Sequence, residues 1–216
     1  MTHGSTPTAR PRPPFRAREL LLLLVVLVAA GVLRLGWSDV VEFRADEANV
    51  SRLALEMARG ENLPLLGVGS SIGANNPPFS VWVFVPPYLF SNDPVPATQY
   101  VGWLNVLAVL VVWGLVRRWY GPLAALLAAA CLAVGPWPVI YSRKIWAQDV
   151  LPLFVAGTLA VGLIAFVDGR RWARFLFLPL LCVTGQIHYA VFVVLPACLY
   201  LVVHGRRRLD RPFWMG

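Results

Sequence analysis

Charge is scarce in this chain. Only 14% of its 216 residues are Asp, Glu, Lys or Arg, where a soluble domain carries about a quarter. With 58% hydrophobic residues and a mean hydropathy of +0.64, the chain has lipid rather than water as its main solvent. Cysteine is scarce too. Cys131, Cys182 and Cys198 are odd in number, sit in apolar runs and lack ligand spacing, which excludes a disulfide scaffold and a thiolate metal site and reads them as buried small hydrophobes. No inverted repeat relates the two halves. The glycine-rich stretch 67–73 lacks the strand before it and the helix after it that a phosphate-cradling loop needs, so it reads as a flexible loop.

The formal net charge of +8 has a local origin. Arg10, Arg12, Arg16 and Arg18 precede the first apolar run, Arg117 and Arg118 follow another, and Arg170, Arg171, Arg174 and the triplet 206–208 flank the last. These are cytoplasmic flanks under the positive-inside rule, and the aromatics beside them are interfacial belts, so nucleic-acid binding is excluded. The expected class is an all-α polytopic membrane protein of the cell membrane. It has about six transmembrane helices, two of them short, a cytoplasmic N-terminus and an interfacial amphipathic helix in the first outer loop.

In chain order, residues 1–18 are a disordered cytoplasmic tail and 19–208 the transmembrane domain, with an outer loop at 38–98. The first span is 20–35. A secretory signal peptide is the rival reading, disfavoured because Arg34 and Trp37 close the run as anchors and no small-residue cleavage site follows. The aromatic run 79–90, broken by Pro86 and Pro87, is too short to span. Further spans are expected at 100–116, 123–140 and 150–167. The last apolar stretch, 175–203, has basic flanks at both ends yet is too short for two spans of about 20 residues. It reads as two short helices meeting at Gly185-Gln186-Ile187-His188-Tyr189.

The densest chemistry follows the first span, at Phe43-Arg44-Ala45-Asp46-Glu47-Ala48-Asn49. Val50, Leu53, Ala54, Met57 and Ala58 recur at helical spacing, Gly60 stops the helix, and Arg52–Glu56 and Glu56–Arg59 are one turn apart. Asp46 is then the N-cap of a helix lying flat in the interface, where free N–H groups and the helix dipole hold a carboxylate ionised. It is either a cap alone or a base at the lip of a site. Arg143 and Lys144, cations on an outer loop, read equally as snorkelling anchors or as functional charges. His188 and Gln186, placed partway into the membrane, read as cavity lining, with a satisfied structural histidine as the alternative for His188.

The order of these features resembles the N-terminal part of the GT-C glycosyltransferases. It runs from a first span through Asp46-Glu47 opening a helix and Asn76-Pro77-Pro78 before an aromatic segment to Tyr141-Ser142-Arg143 and Asp149-Val150-Leu151-Pro152. More narrowly it is similar to glycosyltransferase family 39, which includes protein O-mannosyltransferases and the aminoarabinose transferase of lipid A. The resemblance covers about residues 20–208. It implies Asp46 as catalytic base, with Glu47 beside it, and Asp149 as an acid supporting the acceptor or donor site. The aminoarabinose transferases carry Lys where this chain has Asn76, and Arg where it has Asn49, both facing donor phosphate. Arg143 and Lys144 are the candidates to replace that charge. Relatives are usually more than twice this length, so the chain is expected to be an N-terminal part, with 209–216 opening a continuation.

The expected reaction moves a sugar, with inversion, from a polyprenyl-phosphate carrier to a lipid, glycan or protein acceptor on the outer face of the membrane. The leaving phosphate needs cations, and the acceptor hydroxyl needs one carboxylate. No metal-ligand signature is present, although Asp46, Glu47 and His188 leave a divalent ion open. The alternatives are a transporter with a midplane site near His188, and a fragment without activity.

Overall fold

In the computed structural model the described residues are 16–38, 40–70 and 73–216. Among them the chain is all-α, with one isolated bridge between Gly69 and Asn75. Most of the expected tail lies outside the described residues; Ala17 and Arg18 already belong to helix α1 (Ala17–Leu35). Leu21, Val25, Val28 and Val32 of α1 are each more than half exposed, an apolar stripe suited to lipid.

Helix α5 (Pro94–Tyr120) starts sharply because Pro94 suits the first helical position and Asp93 Oδ1 accepts from the Val95 N–H at 2.8 Å. It runs antiparallel to α1. Helix α8 (Ala147–Phe166) runs antiparallel to α9 (Arg171–Ile187), joined by a buried Thr158–Thr184 hydroxyl bond of 2.9 Å. Gly162 permits that approach, since a Cβ there would stand 2.8 Å from Phe177. Of the helices among the described residues, α5 and α8 are long and apolar enough to cross a membrane.

The run expected as one span at 123–140 breaks at Gly135 into α6 (Pro122–Val134) and α7 (Pro136–Tyr141). Pro136 has no N–H to give the Leu132 carbonyl four residues back. Arg34 fills the gap: its Nη2 donates to Leu132 O at 2.7 Å and its Nη1 to Ala133 O at 2.6 Å. Expected as an interfacial anchor, Arg34 is instead 2% exposed and caps a neighbouring helix.

The aromatic run folds into two single turns, α3 (Phe79–Trp82) and α4 (Val85–Tyr88). Val81, Phe84 and Tyr88 join Val50 and Ala54 in one buried cluster, so protein covers the apolar side of the amphipathic helix α2 (Ala45–Ala58) that was expected to face the membrane interface. On its polar side Arg52 Nη1 donates to Glu56 Oε1 at 2.5 Å as expected, but the other Glu56 oxygen accepts from Asn62 at 3.2 Å where Arg59 was foreseen.

The last apolar stretch does break at His188, followed by a 3₁₀ turn (Tyr189–Val193) and α10 (Leu195–His204). A final turn, α11 (Arg211–Met215), packs on α9 through the nearly buried Phe213, beside an Arg174–Asp210 ion pair of 2.6 Å. That end of the bundle is rich in ion pairs, with Arg117 on Glu19 and Arg118 on Asp168 as well. Cys131 and Cys182 correct the expectation of burial: both are exposed on apolar helices, and Cys198 alone is buried.

Candidate functional site

The opposite end of the bundle carries the candidate site. The N-cap of α2 is Arg44, with extended backbone (φ −116°, ψ −165°), rather than Asp46. The Arg44 N–H donates to Glu47 Oε2 at 3.0 Å, so Glu47 takes the capping-box position three residues on. The acidic pair therefore divides. Glu47 is 2% exposed and engaged with the backbone. Asp46, in the first turn, is exposed and lines a cavity of about 210 Å³ with Ser70, Asn76, Ser80, Gln148 and His188.

Three segments bring those residues together. The stretch expected as a flexible loop is a hydrogen-bonded turn in its described part: Gly67 N–H donates to Asn76 O at 2.8 Å, Asn76 N–H to Val68 O at 3.1 Å, and Ser70 N–H to Ala74 O at 2.8 Å. Gly67 is required there, because a Cβ would lie 2.0 Å from Ser80 Oγ. The Tyr189 hydroxyl donates to Asn75 O at 2.5 Å and ties the break after α9 to this turn. His188 is extended there, and its Nδ1 accepts from the Ala190 N–H at 3.1 Å, which places the proton of the neutral ring on Nε2. Gln186 is exposed on α9 and is not part of the cavity wall.

A second cavity, of about 450 Å³, lies on the other side of the 146–148 segment. Trp146 and Gln148 line both cavities, and the second is completed by Asn105, Tyr141, Ser142 and Asp149 among others. Asp149 is 4% exposed. Its backbone carbonyl accepts from Asn105 Nδ2 at 2.8 Å, while its Oδ2 has no hydrogen-bond partner among the described residues. The same is true of Trp146 Nε1, Asn76 Oδ1 and Ser70 Oγ. These four buried polar atoms border two adjacent cavities, where a polar group could reach them.

The expected phosphate-binding cations are both engaged elsewhere. Lys144, the chain's lone lysine, pairs with Glu42 and lies 5.6 Å from the Tyr141 ring centroid and 5.3 Å from that of Trp146. The hydrogen bond with Glu42 pushes the Lys144 ammonium above its ordinary value, and its counterpart holds the Glu42 carboxyl below its own. Arg143 donates to Gly36 O at 2.9 Å, Trp37 O at 2.6 Å and Val40 O at 3.2 Å, closing the C-terminus of α1. Neither cation lines either of these two cavities. Among the described residues no three His, Cys, Asp or Glu side chains cluster as a metal site.

Asn105, Gln148, Trp146 and the two serines escaped the sequence reading. Asn105, the one side-chain amide in the apolar run 100–116, was the legible signal among them.

Neither curated proteins nor solved structures gave a match to this chain. The sequence profile of the dolichyl-phosphate-mannose-protein mannosyltransferase family does match, over residues 75–215, which takes in Asn76, Arg143, Lys144, Asp149, Gln186 and His188. The chain belongs to that family, and with it to the membrane glycosyltransferases of GT-C type.

Proposed function

We propose that this protein transfers a sugar, with inversion, from a polyprenyl-phosphate carrier to a hydroxyl of an acceptor at the outer face of the cell membrane, with Asp46 as the base. The observation that carries the proposal is the division of the acidic pair. Asp46 is the exposed carboxylate on a cavity wall whose other polar groups are neutral, and Glu47 is buried against the backbone. A hydroxyl entering the cavity meets one anion able to take its proton and amide or imidazole groups able to orient it. His188 lies on that same wall, which favours a transferase site over a separate midplane transport site.

The family supplies the donor class in general terms: a polyprenyl-phosphate sugar, with protein as one acceptor. Its phosphate leaves with the bonding electron pair and needs a cation. Lys144 is the better placed of the two candidates, because its partner Glu42 is about one-third exposed and exchangeable, whereas Arg143 is committed to backbone carbonyls. In this reading α1, α5, the broken α6–α7 pair, α8, α9 and α10 are the six membrane segments, α9 and α10 the short ones, and the N-terminus is cytoplasmic.

The test is transfer from a labelled polyprenyl-phosphate hexose in liposomes containing the protein. Asp46→Asn should lower the rate by about 10²–10⁴-fold, with membrane insertion unchanged. Full activity would overturn the assignment of the base, and a product retaining the donor's anomeric configuration would overturn inversion.

A further inference from the structure

We propose that the outer face of α10 is a binding site for one anionic phospholipid, with its phosphate on His204 and Arg206 and an acyl chain along Pro196, Leu199, Tyr200 and Val203. The site shares no lining residue with either cavity described above and does not depend on which carboxylate is the base.

Helix α10 has two unlike faces. Cys198 and Leu201 are buried in a cluster with Ala165, Phe166 and Phe177 of α8 and α9, whereas Leu199, Tyr200 and Val203 are each more than half exposed. Pro196, Leu199, Tyr200 and Val203 fall at i, i+3, i+4 and i+7, which makes them one stripe. With His204 and Arg206 they line a groove of about 520 Å³. The Tyr200 and His204 rings stack at 5.5 Å, 17° from parallel, and hold the imidazole at the groove's polar end.

Length points to an acyl chain. From Pro196 to His204 the helix rises about 12 Å at roughly 1.5 Å per residue. That is close to the hydrocarbon depth of one leaflet, about half of a 30 Å core.

Charge points to an anionic headgroup. Three acids at this end each hold an arginine: Glu19 holds Arg117, Asp168 holds Arg118 and Asp210 holds Arg174. Arg208 is engaged as well, donating to the Phe166 carbonyl at 2.7 Å. Arg206 is exposed at the end of the groove and has no ion pair among the described residues. A phosphodiester can accept from its guanidinium fork and from an imidazole N–H together. The α1 stripe is the contrast: its groove, of about 550 Å³, is lined by aliphatic residues between Leu24 and Leu33, which can hold a chain but cannot select a headgroup. A second copy of the protein fits the α10 groove poorly. Two-fold docking would bring Arg206 to the same surface twice, and no acid lines the groove to meet it.

The experiment is native mass spectrometry of the purified protein with dioleoyl phosphatidylglycerol and dioleoyl phosphatidylcholine, which share their acyl chains and differ in headgroup. Wild type should favour the anionic lipid by about fivefold, the effect of one basic residue at an anionic headgroup. Arg206→Gln should erase that preference while phosphatidylcholine still binds, which shows the variant is folded. Leu199→Trp, which fills the stripe and leaves the cations intact, should lower binding of phosphatidylglycerol. Arg171→Gln should change nothing, because Arg171 is exposed but does not line the groove. The site is overturned by equal binding of the two lipids in wild type, by a preference that survives Arg206→Gln, or by the same loss in Arg171→Gln, which would mean diffuse surface charge. Unchanged phosphatidylglycerol binding in Leu199→Trp, or its displacement by inorganic phosphate, would leave an anion site without a chain and overturn the lipid. A dimer mass abolished by Leu199→Trp would give the groove to a second copy instead.

Discussion

Arg143 holds the carbonyl of Trp37 at 2.6 Å, and Trp37 is the one non-glycine residue with positive φ, 51°, among the described residues. A bulky residue there carries strain on the order of 1–3 kcal/mol, so the three close carbonyls gathered by one guanidinium offset a cost imposed on the chain leaving α1.

Arg143 should therefore act on stability before affinity. Arg143→Met is expected to destabilise by about 2 kcal/mol, the scale of hydrogen bonds from a charged donor, with little change in donor KM. Arg143→Lys should restore only part, because an ammonium cannot reach a spread of carbonyls as the planar fork does. Thermal unfolding in detergent alongside donor titration decides this. A raised KM at unchanged Tm would place Arg143 on the phosphate instead.

Glu47 should behave as a structural acid. Glu47→Ala is expected to cost about 1 kcal/mol, the worth of a helix cap, while its transfer rate per folded molecule stays far above that of Asp46→Asn. Rates normalised to the folded fraction test this. Equal losses in the two variants would make the carboxylates a catalytic pair.

The Glu42–Lys144 contact predicts a pH window. Glu42 titrates below its ordinary 4.5 in the folded protein, so its contribution is present above that value and fades as pH falls through the depressed folded value. Lys144 titrates above its ordinary 10.5, so its contribution is complete below that pH and fades as pH rises through the raised folded value. Unfolding temperature measured across pH should show both limbs in wild type, and Glu42→Gln should lose the acid one and weaken the alkaline one, since Glu42 is the main cause of the raised Lys144 value. An unchanged acid limb would exclude the pair as its source.

Gly67 predicts a coupled effect. Gly67→Ala drives a methyl into Ser80 Oγ and should loosen the turn that walls the Asp46 cavity, at about 1–3 kcal/mol for overpacking. Ser80→Ala should recover part of the loss, and the shortfall from additivity in a double-mutant cycle measures the contact. Gly31→Ala, with nothing within 4 Å of the added carbon, is the matched control. Strict additivity would contradict the packing described here.

The helices and the break at His188 were legible from apolar run lengths and basic flanks, because membrane solvation writes itself into composition. The cavity at Asp46 was legible in part, since Asp46, Asn76 and His188 do meet. Contacts over long sequence separation were not. Nothing local in the chain says that Arg34 will fill a gap left by Pro136 roughly a hundred positions later, or that Arg143 will be drawn to the end of α1. The Asp46 cap failed for a different reason: the capping box began two residues early, at an arginine, a residue type that cap preferences do not favour.

Pro152 lies inside α8. Lacking an N–H, it leaves the carbonyl of Gln148 without the donor that every ordinary helical residue supplies four positions on. The partition between the two cavities thus contains a main-chain acceptor that no side-chain substitution at Gln148 can delete. Changing Pro152 to alanine would silence that oxygen by completing the helix, and so alter the site's hydrogen-bonding capacity without touching any group that lines it through a polar side chain.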